Sequence, residues 1–265
     1  MKTNNTNSNT TNFKFDSEQT EQIRLGMEIG LDTDVYADPK FDSEQMEQIR
    51  LGMESDVDVY VYINDKFTWR QMKEIRWGLE NGTRINFYAD PKFSDEQLRQ
   101  IRWGLETGDD VSVYADTKFT WQQMEQIRLG QNSGLDTSVY ADPKFSYKQM
   151  DEIRMGMNAD VNVSLFADPK FNEDQMREIR WGLEGNLDVS VYTDPKYTWE
   201  QMAEIRWGLK DGLDVSICSN PEFTWKQMGE INAALQAGVD AEIVKFCANP
   251  NISVKRMRQM IQQMM

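Results

Sequence analysis

Residue types that commonly carry out enzyme chemistry are scarce in this chain of 265 residues. Histidine is absent, which excludes imidazole as a general base and excludes most zinc sites. The two cysteines, Cys218 and Cys247, lie near one end of the chain and have no imidazole to activate a thiolate. Acidic pairs such as Asp32 and Asp34 recur along the chain without the spacing of a calcium-binding loop. We therefore expect a protein that is not an enzyme and that has no catalytic residues, cofactor or metal site.

Aromatic residues form two ladders whose members are separated by multiples of 26 residues. The first ladder directly follows a predicted helix cap and consists of Trp69, Trp121, Tyr147, Trp199 and Trp225. Other repeats place a serine, aspartate or glutamate in this slot, and a slot that accepts either Trp or Glu cannot lie deep in the core. The second ladder consists of Trp77, Trp103, Trp181 and Trp207. It is either packing between repeats or an exposed strip suited to a binding hot spot. These nine residues are the candidate binding residues.

A column of arginines directly precedes the second ladder, at positions 24, 50, 76, 102, 128, 154, 180 and 206. One interpretation is structural: each arginine pairs with the aspartate of a neighbouring Asp-Pro turn, and the pairs form an internal spine. The alternative is a row of guanidinium groups that binds a phosphate backbone. The formal net charge of −15 disfavours this alternative.

Both ladders and the arginine column follow from one unit of 26 residues that runs through almost the whole chain. The segment Val35-Tyr36-Ala37-Asp38-Pro39-Lys40-Phe41, for example, returns at 139–145. A fixed period of this length is typical of a solenoid, in which one supersecondary unit stacks on its neighbours. After each shared aromatic, a cap residue such as Thr68 and a glutamine three positions later, such as Gln71, form a capping box. A helix is therefore predicted to begin at this point of each unit.

Each predicted helix has an apolar face with one glycine in it. Met46, Ile49, Gly52 and Met53 share this face by helical periodicity, and we expect the glycine to allow neighbouring backbones to approach. The connector that follows is either a short strand, as its Val-x-Val alternation suggests, or a short helix. Helix is favoured, because Asp or Asn recurs at its start and because the last connector, 240–247, is longer by about one helical turn.

The predicted fold is therefore all-α: a right-handed-type helical solenoid of about ten stacked units, each a long helix plus a short helical or extended connector. Residues 1–12 are an Asn/Thr-rich tail that we expect to be disordered, and 13–252 form the repeat solenoid. Residues 253–265 form a C-terminal amphipathic capping helix. Cys218 and Cys247 both take the slot of a repeated tyrosine, too far apart for a disulfide, so two free thiols are predicted.

The unit Tyr-Ala-Asp-Pro-Lys-Phe followed by Gln-Met-x-Glu-Ile-Arg-x-Gly-Leu-Glu resembles repeat arrays in uncharacterised bacterial proteins, often ones associated with mobile elements. The resemblance covers roughly residues 13–252 and implies an accessory or interaction module without an established activity. Unit nine departs from the pattern, since Asn232 and Ala234 replace the arginine and the glycine. We interpret this departure as the transition to the C-terminal cap.

The charge and the resemblance together favour a protein-binding function. We expect a non-enzymatic repeat protein whose acidic and aromatic surface binds a basic protein. The sharper form of this hypothesis is an inhibitor, encoded by a phage or mobile element, of a host nucleic-acid-binding effector. A structural scaffold or spacer is one alternative, and nucleic-acid binding through the arginine column is another. No apolar run suits a membrane span, and the expected compartment is the cytoplasm of a bacterium or of a phage's host cell.

Overall fold

The computed structural model describes residues 15–265, and this part of the chain is all-helical, without a β-strand. The predicted tail, residues 1–12, lies outside the described residues. Eleven α-helices follow one another: α1 (Ser17–Glu28), α2 (Ser43–Glu54), α3 (Trp69–Glu80), α4 (Asp95–Thr107), α5 (Trp121–Asn132), α6 (Tyr147–Asn158), α7 (Glu173–Glu184), α8 (Trp199–Lys210), α9 (Trp225–Gln236), α10 (Ala241–Cys247) and α11 (Val254–Met264). The predicted all-α repeat solenoid is confirmed.

The connectors between the long helices are short 3₁₀ helices, which confirms the helical interpretation over the strand. They are Thr33–Val35, Val59–Val61, Ile85–Tyr88, Val111–Val113, Thr137–Val139, Val163–Leu165, Val189–Val191 and Val215–Ile217. The recurring acid caps most of them: Asp58, for example, accepts a hydrogen bond from the backbone N–H of Tyr60 at 3.1 Å. The longer last connector forms a true α-helix, α10, with Asp240 as its cap.

The capping box recurs at the start of the long helices and also links each unit to the next. In α8 the backbone N–H of Thr198 donates to Gln201 Oε1 at 2.7 Å, and the Gln201 N–H donates to Thr198 Oγ1 at 3.3 Å. The amide nitrogen of Gln201 then donates to the carbonyl oxygens of Phe223 and Pro221 in the next unit. The same side chain therefore begins one helix and fixes the position of the following turn.

The described residues fall into two compact units, which meet between Arg128 and Leu129, inside α5. Within the first, α1, α2, α3 and α4 pack against one another in chain order. Within the second, α6 to α9 do the same, and α11 packs against both α9 and α10. Repeated methionines and isoleucines such as Met202 and Ile205 have no exposed surface and form the core of each stack.

The helix glycines make room for a connector side chain rather than for a neighbouring backbone, so that prediction is wrong. A Cβ atom on Gly52 would overlap the hydroxyl of Tyr62 and lie 2.9 Å from Val59 Cγ1, both in the connector of the same unit. Tyr62 is fully buried, and its hydroxyl donates to the carbonyl of Gln48 at 3.1 Å. Glycine is needed because the tyrosine must reach past the helix surface to that carbonyl.

Both cysteines are free, as predicted, and both are buried. Cys218 replaces the connector tyrosine, and burial raises the pKa of its thiol to about 12. Since the thiolate is the reactive form, this shift makes Cys218 a poor nucleophile at neutral pH.

Candidate binding surface

The two predicted ladders lie on the same stripe of each helix. The first ladder occupies the first helical position, N1, and the second occupies the ninth, N9, so position N5 lies between them on the helix surface. Trp121, Tyr147, Trp199 and Trp225 of the first ladder are 37–43% exposed, and Trp103, Trp181 and Trp207 of the second are 36–49% exposed. Trp69 and Trp77 are intermediate. Exposure of the first ladder agrees with its tolerance of Trp and Glu in one slot.

The second ladder also packs between units, because arginines stack on its indole rings. The Arg102 guanidinium lies 5.4 Å from the ring of Trp77 in the preceding helix, and Arg206 lies 5.3 Å from that of Trp181. Cations at these distances are attracted by the electron-rich face of the ring. The two interpretations of this ladder are therefore compatible: one face of each indole meets a guanidinium and part of the ring stays exposed.

Several arginines of the column form internal pairs with the preceding helix, but the predicted acceptor is wrong. Arg102 donates to Glu74 of the preceding helix at 2.9 Å and to Glu106 of its own helix at 2.7 Å. The aspartates of the Asp-Pro turns instead accept from lysines two residues later, as Asp38 does from Lys40. The acceptor lies 28 positions back because consecutive helices pack side by side, which places position N8 beside N6 of the preceding helix.

A groove of about 360 Å³ between α8 and α9 brings three of the candidate residues together. Trp199, Trp207 and Trp225 line it together with Ala203 at position N5. Glu200 and Glu204 add two carboxylates to the lining. An apolar cleft with convergent acidic groups is suited to a cationic side chain with an apolar stem.

The same helix positions form an acidic groove of about 300 Å³ between α1 and α2. Serine takes the N1 slot there, in Ser17 and Ser43, so no indole covers the helix surface. The groove is lined instead by four glutamates: Glu18, Glu21, Glu44 and Glu47. We call positions N1, N2, N5, N6 and N9 of the long helices the grooved face. It carries tryptophan in some repeats and glutamate in others.

The sequence predicted binding residues at positions N1 and N9 of this face, but not at N5 and N6. Ala203 and Glu204 were not singled out, although the spacing of eight residues between the ladders already placed N5 between them. Comparing the N5 residues of all units would have shown that Ala203 is small where Lys73, Arg99 and Arg177 are long.

No protein-family profile, curated protein or solved structure is significantly similar to this chain. Among residues 15–265, no cluster of three or more acidic or cysteine side chains is arranged to hold a metal ion. Over that same range, no helix combines the length and the apolar character required to cross a bilayer.

Proposed function

We propose that this chain is a non-enzymatic protein-binding repeat protein whose grooved face binds a basic protein. The observation that carries the proposal is the convergence of both aromatic ladders with carboxylates on one helix face, as in the groove of Trp199, Trp207 and Trp225. Half-exposed tryptophans are typical of binding hot spots, and carboxylates beside them favour a positively charged partner.

The arginine column is a poor surface for nucleic acid. Arg76, Arg102, Arg180 and Arg206 are buried, and each donates to a glutamate or glutamine of the preceding helix. A phosphate would have to displace these partners, and the formal net charge of −15 opposes its approach. This pairing favours a protein partner over a nucleic-acid backbone.

The resemblance to mobile-element repeat arrays supports a more specific role. In this role the chain, encoded by a phage or mobile element, occupies the basic nucleic-acid groove of a host effector in the cytoplasm. A chain with 44 acidic and 29 basic residues complements such a groove in charge.

Affinity capture from a bacterial lysate, with and without nuclease, tests the proposal. We expect a basic protein to be retained after nuclease treatment. A variant with Trp69→Ser, Trp77→Leu, Trp199→Ser and Trp207→Leu should lose it, by about tenfold or more in affinity. Serine and leucine are the residues that other units carry in these slots, for example Ser43 and Leu51, so the fold should be kept.

Tyr60→Ser combined with Phe87→Val is the matched control. These aromatics are 76% and 73% exposed, but they lie on connectors, outside the grooved face. Equal loss of the partner by the control and the tryptophan variant would contradict binding through the grooved face. Recovery that disappears with nuclease would contradict a protein partner and identify nucleic acid as the ligand.

A further inference from the structure

A carboxylate–arginine pair is repeated from helix to helix beside the second ladder. Position N6 is glutamate or glutamine, and in most helix pairs the arginine at N8 of the next helix donates its Nε to it. Arg102 meets Glu74 at 2.9 Å, Arg180 meets Glu152 at 3.0 Å and Arg206 meets Glu178 at 2.7 Å. The same guanidinium stacks on the N9 tryptophan where one is present, as Arg206 does on Trp181.

Glu204 is the exception in this column. Its two possible partners in the next helix are replaced: Gly229 takes the slot of Arg99 and Arg177, and Asn232 takes the slot of Arg206. No cation lies within salt-bridge distance of Glu204 among residues 15–265, whereas Glu230, one unit later, pairs with Arg258 at 2.6 Å. Burial raises the pKa of the Glu204 carboxyl, an effect that Asn232 offsets only in part.

Asn232 turns into the core and serves there in place of a tyrosine. Its amide nitrogen donates to the Glu204 carbonyl at 2.8 Å, and its Oδ1 lies 3.6 Å from the Cys218 sulfur. One unit earlier, the Tyr192 hydroxyl donates to the equivalent carbonyl of Glu178. The exchange of tyrosine for Cys218 and of arginine for Asn232 is therefore one coupled change, and it removes the guanidinium from the Glu204 carboxylate.

Position N5 beside Glu204 also lacks the cation that it carries in α3. There the Lys73 ammonium lies 4.4 Å from the ring of Trp77 and 5.9 Å from that of Trp69. In α8 the tryptophans stand in the same slots, but Ala203 replaces the lysine. The cations near these rings come from other positions: Arg206 and Lys210 each lie 4.8 Å from the ring of Trp207, and Lys226 lies 5.3 Å from that of Trp225. The carboxylate of Glu204 rests on Gly229, within 3.3 Å of where a Cβ would be, so no side chain covers it from that position.

We infer that the groove formed by Trp199, Trp207 and Trp225 with Glu204 takes an arginine side chain from the partner protein. The incoming guanidinium would pair with Glu204 and stack on Trp207, as Arg206 pairs with Glu178 and stacks on Trp181. The inference rests on the proposed function and specifies one contact of that interface, an arginine of the partner protein bound in this groove. Guanidinium is preferred to ammonium because its planar fork can meet a carboxylate and an indole face together.

Titration of the full chain with the tripeptide acetyl-Gly-Arg-Gly-amide tests this inference. The readout is the indole N–H resonances of its eight tryptophans. We expect saturable shifts confined to Trp199, Trp207 and Trp225, with a Kd on the order of 1 mM. The lysine peptide should bind about threefold or more weakly, and the neutral citrulline peptide about tenfold or more weakly, because only guanidinium supplies charge and fork together.

Two variants separate the site from general acidity. Glu204→Gln keeps the shape and removes the charge, so affinity for the arginine peptide should fall about tenfold. Cys218→Tyr combined with Asn232→Arg restores the residues that unit seven and α8 carry as Tyr192 and Arg206. This double variant should fold with an unchanged or higher Tm and lose peptide binding, because its own arginine takes the site.

The inference is overturned by any of three results. They are equal binding of the arginine and citrulline peptides, comparable shifts of Trp69 and Trp77, and undiminished binding by the folded Cys218→Tyr/Asn232→Arg variant. If that double variant still captures the basic partner while the four-tryptophan variant does not, the proposed function stands and the arginine site fails. If the peptide binds as expected but the four-tryptophan variant still captures the basic partner, the arginine site stands and the proposed function fails.

Discussion

At the scale of single residues, the buried connector tyrosine determines much of each unit. Tyr192 is fully buried, its hydroxyl donates to the Glu178 carbonyl, and Gly182 is small because a Cβ would overlap that hydroxyl. The 26-residue repeat identifies the tyrosine position from the sequence alone. It does not identify the hydrogen-bond acceptor, because the bond between Tyr192 and the carbonyl of Glu178 depends on how far the connector folds back over the helix.

Burial of these tyrosines predicts a loss of stability in alkaline solution. Desolvation raises the pKa of Tyr140 to about 12 and raises that of Tyr192 further. An unfolded chain releases the phenol proton near pH 10, before the folded chain does, so stability is fully present below about pH 10 and falls as the pH rises above it. Thermal unfolding at pH 7, 9 and 11, with phenolate absorbance followed in parallel, measures this loss.

Tyr140→Phe combined with Tyr192→Phe is the matched variant, because Phe166 already takes this slot in another unit. It should be slightly less stable at pH 7, by about 1 kcal/mol for the lost hydrogen bond of the Tyr192 hydroxyl. It should also lose less stability than the unchanged chain between pH 9 and 11. An identical alkaline loss in both proteins would show that the hydroxyls of Tyr140 and Tyr192 do not cause it.

At the scale of elements, the helix starts were predictable because a capping box is a local signal. Thr198 and Gln201 stand three residues apart, and their reciprocal bonds involve only one turn of α8. What the local pattern could not show is that Gln201 also donates its amide to Phe223 and Pro221 of the next unit. The same limit applies to the arginine column, whose acceptors depend on the packing of neighbouring helices.

This second role predicts that glutamate cannot replace glutamine at N3, although glutamate is an ordinary capping-box residue. Gln201 is buried, so Gln201→Glu would bring a carboxylate against the Phe223 and Pro221 carbonyls at 2.5 and 3.0 Å. We expect a loss of about 2–4 kcal/mol in the free energy of unfolding at pH 7, from repulsion and lost hydrogen bonds.

Chemical denaturation at two pH values checks this expectation. Stability of the Gln201→Glu variant should recover in part near pH 4, because the protonated acid can again donate a hydrogen bond. The control is Gln262→Glu, which adds the same charge at an exposed position of α11. A similar loss in both variants would show that added negative charge, and not the link between units, causes the effect.

At the scale of the whole molecule, the repeat period and the net charge could be determined from the sequence. Only part of the grooved face, positions N1 and N9, could be predicted from it. Asn232 was recognised as a departure from the repeat and interpreted as a transition to the C-terminal cap. Its side chain instead reaches back to the Glu204 carbonyl of α8, a contact made elsewhere by the connector tyrosine, and within residues 15–265 it leaves Glu204 without a cation. Cys218 and Asn232 depart from the repeat together because their side chains are in contact and jointly replace one tyrosine. Departures from a repeat are therefore best interpreted in pairs.

The distribution of charge gives a prediction for the full chain. Glu18→Gln, Glu44→Gln and Glu47→Gln neutralise the acidic groove between α1 and α2, and change the formal net charge from −15 to −12. Asp34→Asn, Asp65→Asn and Glu222→Gln give the same net charge at exposed positions outside the grooved face. The groove variant should bind the captured basic protein about threefold to tenfold more weakly in low salt, and the control should bind it almost unchanged. Because exposed charges are screened, the difference should vanish near 1 M salt.

Equal weakening by both variants would mean that the partner responds to net charge alone. Undiminished binding by both would remove the acidic groove from the interface and leave the tryptophans to account for the affinity.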